Sequence, residues 1–185
     1  MTKLREELRE SESFLANVGR CITSWAQIEE KLFDLCVIAL KAPKKQTAIV
    51  YYKTPTIDSR LALVDELITA ALPKKKSGDH STGAERLWDG ITTEFRKLLP
   101  ERNALAHFPL KTVWSIYALM DPSRDDARKL SMRPHRNERL RGKEHKVQRM
   151  DAEHLPVHLE RVKDLESQMF QFKSILRYAI RKKRS

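Results

Sequence analysis

The chain has 185 residues, of which 33% are charged, and its formal net charge at pH 7 is +11. This length suits a single domain with a real core. The charge predicts a polyanionic partner, with RNA or DNA ahead of an anionic membrane. No apolar run approaches the ~20 residues of a membrane span, and the opening residues lack the apolar core of a signal peptide. We therefore expect a single domain that binds a polyanion and does not span a membrane.

Residues 3–40 predict one long amphipathic helix or two shorter ones, because apolar side chains recur at helical spacing. The predicted buried stripe consists of Val18, Ile22, Trp25, Leu32 and Cys36. Glu29 falls in the gap of this stripe, so it is either an edge carboxylate that reaches water or a buried one that needs a cation. Cys21 and Cys36 would lie about 22 Å apart along the helix, beyond disulfide reach. We expect reduced core thiols and a cytoplasmic location.

The next 70 or so residues predict two further long helices. Pro43 ends the first helix, and residues 46–53 fit either a short helix or an extended segment. A helix then starts near Thr54-Pro55 and stops at Pro73. Its apolar stripe is Ile57, Leu61, Val64, Ile68 and Ala71. After a lysine-rich loop, the third long helix begins near Ser81 or Thr82.

The third long helix has the apolar stripe Leu87, Ile91, Phe95 and Leu98. Pro100 lacks a backbone donor, so we expect a kink or a restart there. If the register survives, Arg102 continues the stripe and points its guanidinium inward, toward Glu29. We therefore predict a buried or half-buried pair between Glu29 and Arg102, with Glu29 in a supporting role.

Residues 110–150 predict a small β-hairpin inserted between the third and fourth main helices. Thr112–Met120 is rich in β-branched and aromatic residues and reads as a strand; Leu130–Arg133 and Lys146–Met150 are its candidate partners. Basic side chains outnumber acidic ones here, so the insertion is either a solvated loop or a nucleic-acid contact. The candidate contacts are Arg133, Arg136, Arg139, Arg141, Lys143 and Lys146.

A fourth main helix starts between Asp151 and Pro156 and keeps heptad spacing, which is typical of a bundle helix or a dimer seam. Its stripe is Leu155, Leu159, Val162, Leu165, Met169, Phe172, Leu176 and Ala179. His154 and His158 are four residues apart, but no third ligand accompanies them, so we expect no metal site. The whole chain, 1–185, is thus predicted to be one all-α domain: an antiparallel four-helix bundle with a small β-hairpin insertion.

Chemistry is concentrated in the segment Arg102-Asn103-Ala104-Leu105-Ala106-His107. On a helix, Asn103 and His107 share a face. Arg102 lies about 7.5 Å from His107 along the axis, so both can reach one phosphate-sized group. Arginine offers phosphate a fixed fork of donors, and histidine can transfer a proton near neutral pH. The segment predicts phosphodiester chemistry.

This R-N-x-x-x-H pattern resembles the R-x4-H motif of the HEPN superfamily (higher eukaryotes and prokaryotes nucleotide-binding domains). A second R-x4-H, Arg149 to His154, lacks the Asn. The resemblance implies a metal-independent endoribonuclease that needs no cofactor and leaves a 2′,3′-cyclic phosphate. His107 would transfer protons, Arg102 would bind the phosphate, and Asn103 would orient His107 or contact the substrate.

The resemblance also implies partners and a setting. HEPN proteins pair their motifs across a homodimer, which here would act on RNA in prokaryotic defence, stress response or toxin–antitoxin biology, with a possible antitoxin or regulatory protein. Pro109 stands where some family toxins carry a modifiable Tyr, which argues against that subtype. Two alternatives remain: a catalytically silent RNA-binding or scaffold member of the fold, and a helical protein-interaction subunit.

Overall fold

The computed structural model describes residues 2–72, 83–108, 110–114, 128–133 and 150–182, and it is mostly helical. This part of the chain holds five helices: α1 (Thr2–Leu40), α2 (Lys44–Lys53), α3 (Ile57–Ala71), α4 (Gly83–His107) and α5 (His154–Lys182). Two short strands, β1 (Leu110–Trp114) and β2 (Arg128–Met132), follow α4. The prediction of a mainly helical fold is confirmed for this part of the chain.

The turns between the first three helices follow local chemistry. After α1, Lys41 adopts a left-handed backbone with φ of 55°, and Pro43 then occupies the N-cap position of α2. Residues 46–53, which the sequence left open between helix and extended chain, are helical. Thr56 caps α3 because its side-chain oxygen accepts a hydrogen bond from the backbone N–H of Ser59 at 3.1 Å.

The buried face of α1 differs from the predicted stripe. Ile22, expected inside, is 52% exposed, whereas Cys21 is fully buried. The seam consists of Phe14, Cys21, Trp25, Ile28, Leu32, Leu35, Cys36 and Ala39. The prediction was wrong at Ile22 because Trp25 lies at helical spacing from both Cys21 and Ile22, so either residue could have continued the buried stripe. Glu29 consequently lies beside the seam rather than in it.

The stripes of the other long helices agree with the sequence more closely. All five predicted positions of α3 are buried. In α5 the predicted positions are buried from Leu155 to Leu176, and Ile180 replaces Ala179 at the end. Helix α4 continues through Pro100 without a break, so the helix does not restart there. Leu98 and Leu105 are buried on either side of the proline.

β1 and β2 pair antiparallel, from Leu110 opposite Met132 to Trp114 opposite Arg128. An isolated antiparallel bridge joins Met132 to Met150, just before α5. Residues 115–127 and 134–149 lie outside the described part of the chain, so the predicted hairpin insertion stays a prediction.

The contacts divide the chain into two compact units. The first unit comprises Met1–Trp25 and Leu98–Arg161, and the second comprises Ala26–Lys97 and Val162–Ser185. Each unit joins segments that are far apart in sequence, so neither is a contiguous domain. None of the helices in the described ranges is both long and apolar enough to cross a membrane.

Candidate functional site

The Arg102–His107 motif forms the last turns of α4, in the first unit. Asn103 and His107 are exposed and Arg102 is half-buried. The turns are fixed to the interior through Leu105, of which only 5% is exposed. Arg102 Nη1 donates to Asn103 Oδ1 at 3.4 Å. The helical placement that the sequence predicted is confirmed, and the imidazole of His107 faces solvent at the helix end.

Glu101, immediately before the motif, turns toward α5. One carboxylate oxygen accepts a hydrogen bond from His158 Nδ1, and the other lies 3.5 Å from Arg161 Nη1. The hydrogen bond from His158 lowers the pKa of Glu101 below its usual value, and this outweighs the effect of burial, which acts to raise it. Glu101 is therefore held as a carboxylate.

His158 is 2% exposed, and both of its ring nitrogens are engaged. Trp25 Nε1 donates to His158 Nε2 at 2.9 Å. An indole N–H can only donate, so Nε2 must be the unprotonated acceptor. The proton therefore resides on Nδ1 and is donated to Glu101, and the imidazole is neutral in this arrangement. The Trp25 and His158 rings also stack, with centroids 6.1 Å apart.

The two cysteines are buried and free, as expected of core thiols. In the first unit, Cys21 Sγ donates weakly to the backbone oxygen of Leu155 at 3.7 Å. Burial, together with the negative charge of Glu101, raises the pKa of Cys21 to about 11. Cys36, in the second unit, also has a raised pKa because of burial. Both thiols stay protonated near neutral pH, so neither is an activated nucleophile.

The start of α5 is organised by Asp151, which is 5% exposed. Its Oδ1 accepts from the backbone N–H of Glu153 at 3.2 Å and of His154 at 3.3 Å, and it lies 2.5 Å from His154 Nδ1. His154 and His158 thus engage different carboxylates. Within the described ranges, no group of three or more His, Cys, Asp or Glu side chains is arranged to hold a metal ion.

Glu29 lies in the second unit, where Arg60 is its ion-pair partner. Arg60 Nη1 is 3.2 Å from Glu29 Oε2, and the two side chains are 17% and 27% exposed. The Arg60 guanidinium also lies over the rings of Tyr51 and Tyr52, at 5.4 and 5.5 Å from their centroids. Arg102 belongs to the first unit, and a pair between Glu29 and Arg102 stays a prediction.

Of the six basic residues predicted to contact nucleic acid, Arg133 lies in the described part of the chain. It follows β2 and is half-buried. Among the described side chains its Nε is one of two buried polar atoms without a hydrogen-bond partner, the other being Ser131 Oγ. Arg136, Arg139, Arg141, Lys143 and Lys146 fall outside the described residues.

Sequence reasoning missed the support of the motif. Glu101 and His158 are 57 residues apart in sequence, and no local pattern links them. A partial signal existed, because His158 sits at helical spacing between Leu155 and Val162 on the buried stripe of α5. A polar residue in a seam needs a partner, and here the partners are Glu101 and Trp25.

Comparison with known proteins finds no matching family model, no similar curated protein and no similar solved structure. A functional interpretation therefore rests on the residues themselves. The feature with the clearest chemistry is the Arg102–His107 motif, in which Asn103 and His107 are exposed and Arg102 is half-buried. It lies next to Glu101, a carboxylate that is hydrogen-bonded within the same unit.

Proposed function

We propose that this protein is a metal-independent endoribonuclease of the HEPN type. The observation that carries the proposal is the placement of the motif at the end of α4. Asn103 and His107 are open to solvent, whereas the adjacent Glu101 is bonded to His158. A rigidly supported helix end that presents arginine, amide and imidazole suits recognition of a phosphodiester.

In the proposed reaction, the ribose 2′-oxygen attacks the adjacent phosphorus and the bond from phosphorus to the 5′-oxygen breaks. His107 accepts the proton of the 2′-hydroxyl or donates one to the departing 5′-oxygen, and His107 of the second copy or a water molecule makes the other proton transfer. Arg102 binds the phosphate and stabilises its developing negative charge. Asn103, on the face of His107, orients the imidazole or contacts the RNA. The products are a 2′,3′-cyclic phosphate and a 5′-hydroxyl.

The same proposal includes an antiparallel four-helix bundle with a β-hairpin insertion, and a homodimer in the cytoplasm. One Arg and one His are a sparse active site, and two-fold pairing of copies would bring two of each to one groove. The net charge of +11 supports binding of RNA along the groove. The biological setting proposed is defence, stress response or a toxin–antitoxin system, with an antitoxin or regulatory protein as a further partner.

Cleavage of labelled RNA in EDTA tests the proposal. We expect His107→Ala to lower the cleavage rate by ~10²–10⁴-fold, because proton transfer by a positioned side chain contributes that much. RNA affinity should change little, since it depends on many phosphate contacts. The second R-x4-H supplies matched controls: Arg149→Ala and His154→Ala should keep rates near wild type.

The outcomes separate the alternatives. A His107→Ala variant that cleaves at the wild-type rate would refute the assignment of the site. Salt-dependent RNA binding without cleavage by the wild type would favour the silent RNA-binding protein, and the absence of RNA binding would favour the protein-interaction subunit.

The pairing of two motifs in one homodimer can be tested independently by light scattering at micromolar concentration. We expect a mass about twice the 21.6 kDa of one chain, because the site requires two copies. A monomer that still cleaves RNA would contradict the pairing of two motifs.

A further inference from the structure

Helix α4 lacks one backbone hydrogen bond just before the motif. Pro100 lies inside the helix, and proline has no N–H to donate to the carbonyl four residues earlier. The last turns of α4, including Arg102 and His107, are therefore joined to the rest of the helix by one fewer hydrogen bond. Their orientation needs another support.

Glu101 supplies a support directly after the proline. It is bonded to His158 and approached by Arg161, and both partners belong to the first two turns of α5. His158 is itself fixed, because Trp25 on α1 donates to its other nitrogen. A chain of hydrogen bonds in the first unit thus connects Trp25 on α1, His158 on α5 and Glu101 on α4, next to the motif.

The helical geometry couples this support to the motif. Successive residues of a helix are about 100° apart, so Glu101 and Asn103 point in nearly opposite directions. Fixing Glu101 toward α5 therefore fixes the side on which Asn103 and His107 face solvent. Rotation of the last turns would move the two exposed side chains together with the inward carboxylate.

We propose that Glu101 is a positioning residue for Arg102 and His107, and that Trp25 assists it by fixing the Nδ1–H tautomer of His158. This inference rests on the proposed function for its catalytic consequence. His158 is 2% exposed, so it is not placed to contact RNA, and the proposed effect is on the orientation of the α4 end. The effect of Glu101 on the orientation of the α4 end can be measured in the protein without RNA, whether or not the protein cleaves RNA.

The test compares Glu101→Ala with Glu101→Gln, and uses Glu160→Ala, an exposed glutamate of α5, as the matched control. We expect Glu101→Ala to lower kcat by ~10–100-fold, because a misplacement of about 1 Å can reduce a rate by ~10²-fold. KM should change by less than about threefold. Glu101→Gln keeps an oxygen that accepts from His158 Nδ1–H, so it should recover most of the rate.

A second readout does not depend on activity. Nitrogen-15 NMR should show His158 protonated at Nδ1 and bare at Nε2, and Trp25→Phe should abolish this preference. Order parameters of the backbone amides from Arg102 to His107 should fall in Glu101→Ala and stay unchanged in Glu160→Ala.

The two hypotheses fail differently. If the wild type cleaves no RNA, the proposed function fails, and the amide order parameters alone decide the positioning role. A folded Glu101→Ala variant with wild-type kcat and unchanged order parameters would overturn that role. If Glu101→Ala does not fold, Trp25→Phe replaces it: a drop in kcat of about threefold or more, at unchanged KM, supports the inference, and a wild-type kcat refutes it.

Discussion

Each of the two units contains a half-buried glutamate, and the two units stabilise it with different partners. Glu101 in the first unit and Glu29 in the second are both half-buried, with side chains 26% and 27% exposed. Glu29 pairs with Arg60, a permanent cation, whereas Glu101 accepts a hydrogen bond from a neutral imidazole and has Arg161 at 3.5 Å. Similar burial of the same residue type therefore does not imply the same kind of partner.

The difference teaches where each carboxylate acts. Around Glu29, Arg60 also donates to the backbone oxygen of Thr54, and Tyr51 donates its hydroxyl to the backbone oxygen of Glu29. These contacts tie α1, α2 and α3 together within the second unit. The contacts of His158 and Arg161 with Glu101, by contrast, fix the residue that directly precedes Arg102. We interpret the first arrangement as purely structural and the second as support for the motif.

The largest expected effect comes from His158→Ala. The substitution removes the partner of Glu101 and of the Trp25 indole and leaves a buried cavity, so we expect a loss of about 4 kcal/mol in unfolding free energy. The melting temperature should fall by about 10 °C. His154→Ala, with a side chain 63% exposed, should lose about 1 kcal/mol or less. A His158→Ala variant as stable as that control would mean that the hydrogen bond from His158 to Glu101 does not contribute to folding.

The fold was predictable where one apolar stripe admits a single register. On α3, Ile57, Leu61, Val64 and Ile68 form one continuous stripe, and all are buried. Leu63 and Leu67 only widen this stripe to one side and are half-buried. On α1, Cys21 and Ile22 are adjacent apolar residues, and either can be combined with Trp25 into a helical stripe. Periodicity cannot choose between them, because the choice depends on tertiary packing.

The candidate site was predictable in its exposed part and unpredictable in its support. The helical placement of Arg102 and His107 follows from local composition and from the stop at Pro109. The partners of Glu101 come from α5 and α1, and the cation of Glu29 comes from α3. Such pairings depend on tertiary distances, so Arg60 and His158 could not be assigned from spacing along the chain.

Glu29→Gln tests the comparison from the second unit. The variant keeps the shape and a hydrogen-bond acceptor but removes the charge that faces Arg60, so we expect a loss of about 1 kcal/mol, measured by urea unfolding. If Arg60 is the functional partner of Glu29, the RNA cleavage rate should stay at the wild-type value. A tenfold drop in kcat would instead support the predicted pair with Arg102.

The smallest effect is expected in how the free energy of unfolding changes at acid pH, where the contribution of Glu101 can be separated from that of the other carboxylates. The pKa of Glu101 is lowered by the hydrogen bond from His158, against the opposing effect of burial. Because the unfolded chain takes up this proton first, the ionised carboxylate stabilises the folded state above its ordinary pKa, 4.5. That stability is lost as the pH falls through the lower folded pKa.

Other groups titrate in the same range, so the measurement must be a difference. Asp34, in the second unit, also has a lowered pKa: burial acts to raise it, but Lys173 at 2.5 Å and Lys44 outweigh burial. Urea unfolding of wild type and Glu101→Gln between pH 6 and pH 3 cancels that contribution. We expect the difference in unfolding free energy between the two proteins to narrow as the pH falls below 4.5. The charged or titratable groups that face Glu101, and so determine the size of this difference, are Arg161, His154 and His158. A gap that is constant across this range would show that the charge of Glu101 does not contribute to folding, and the contrast with Glu29 would then be one of hydrogen-bond geometry alone.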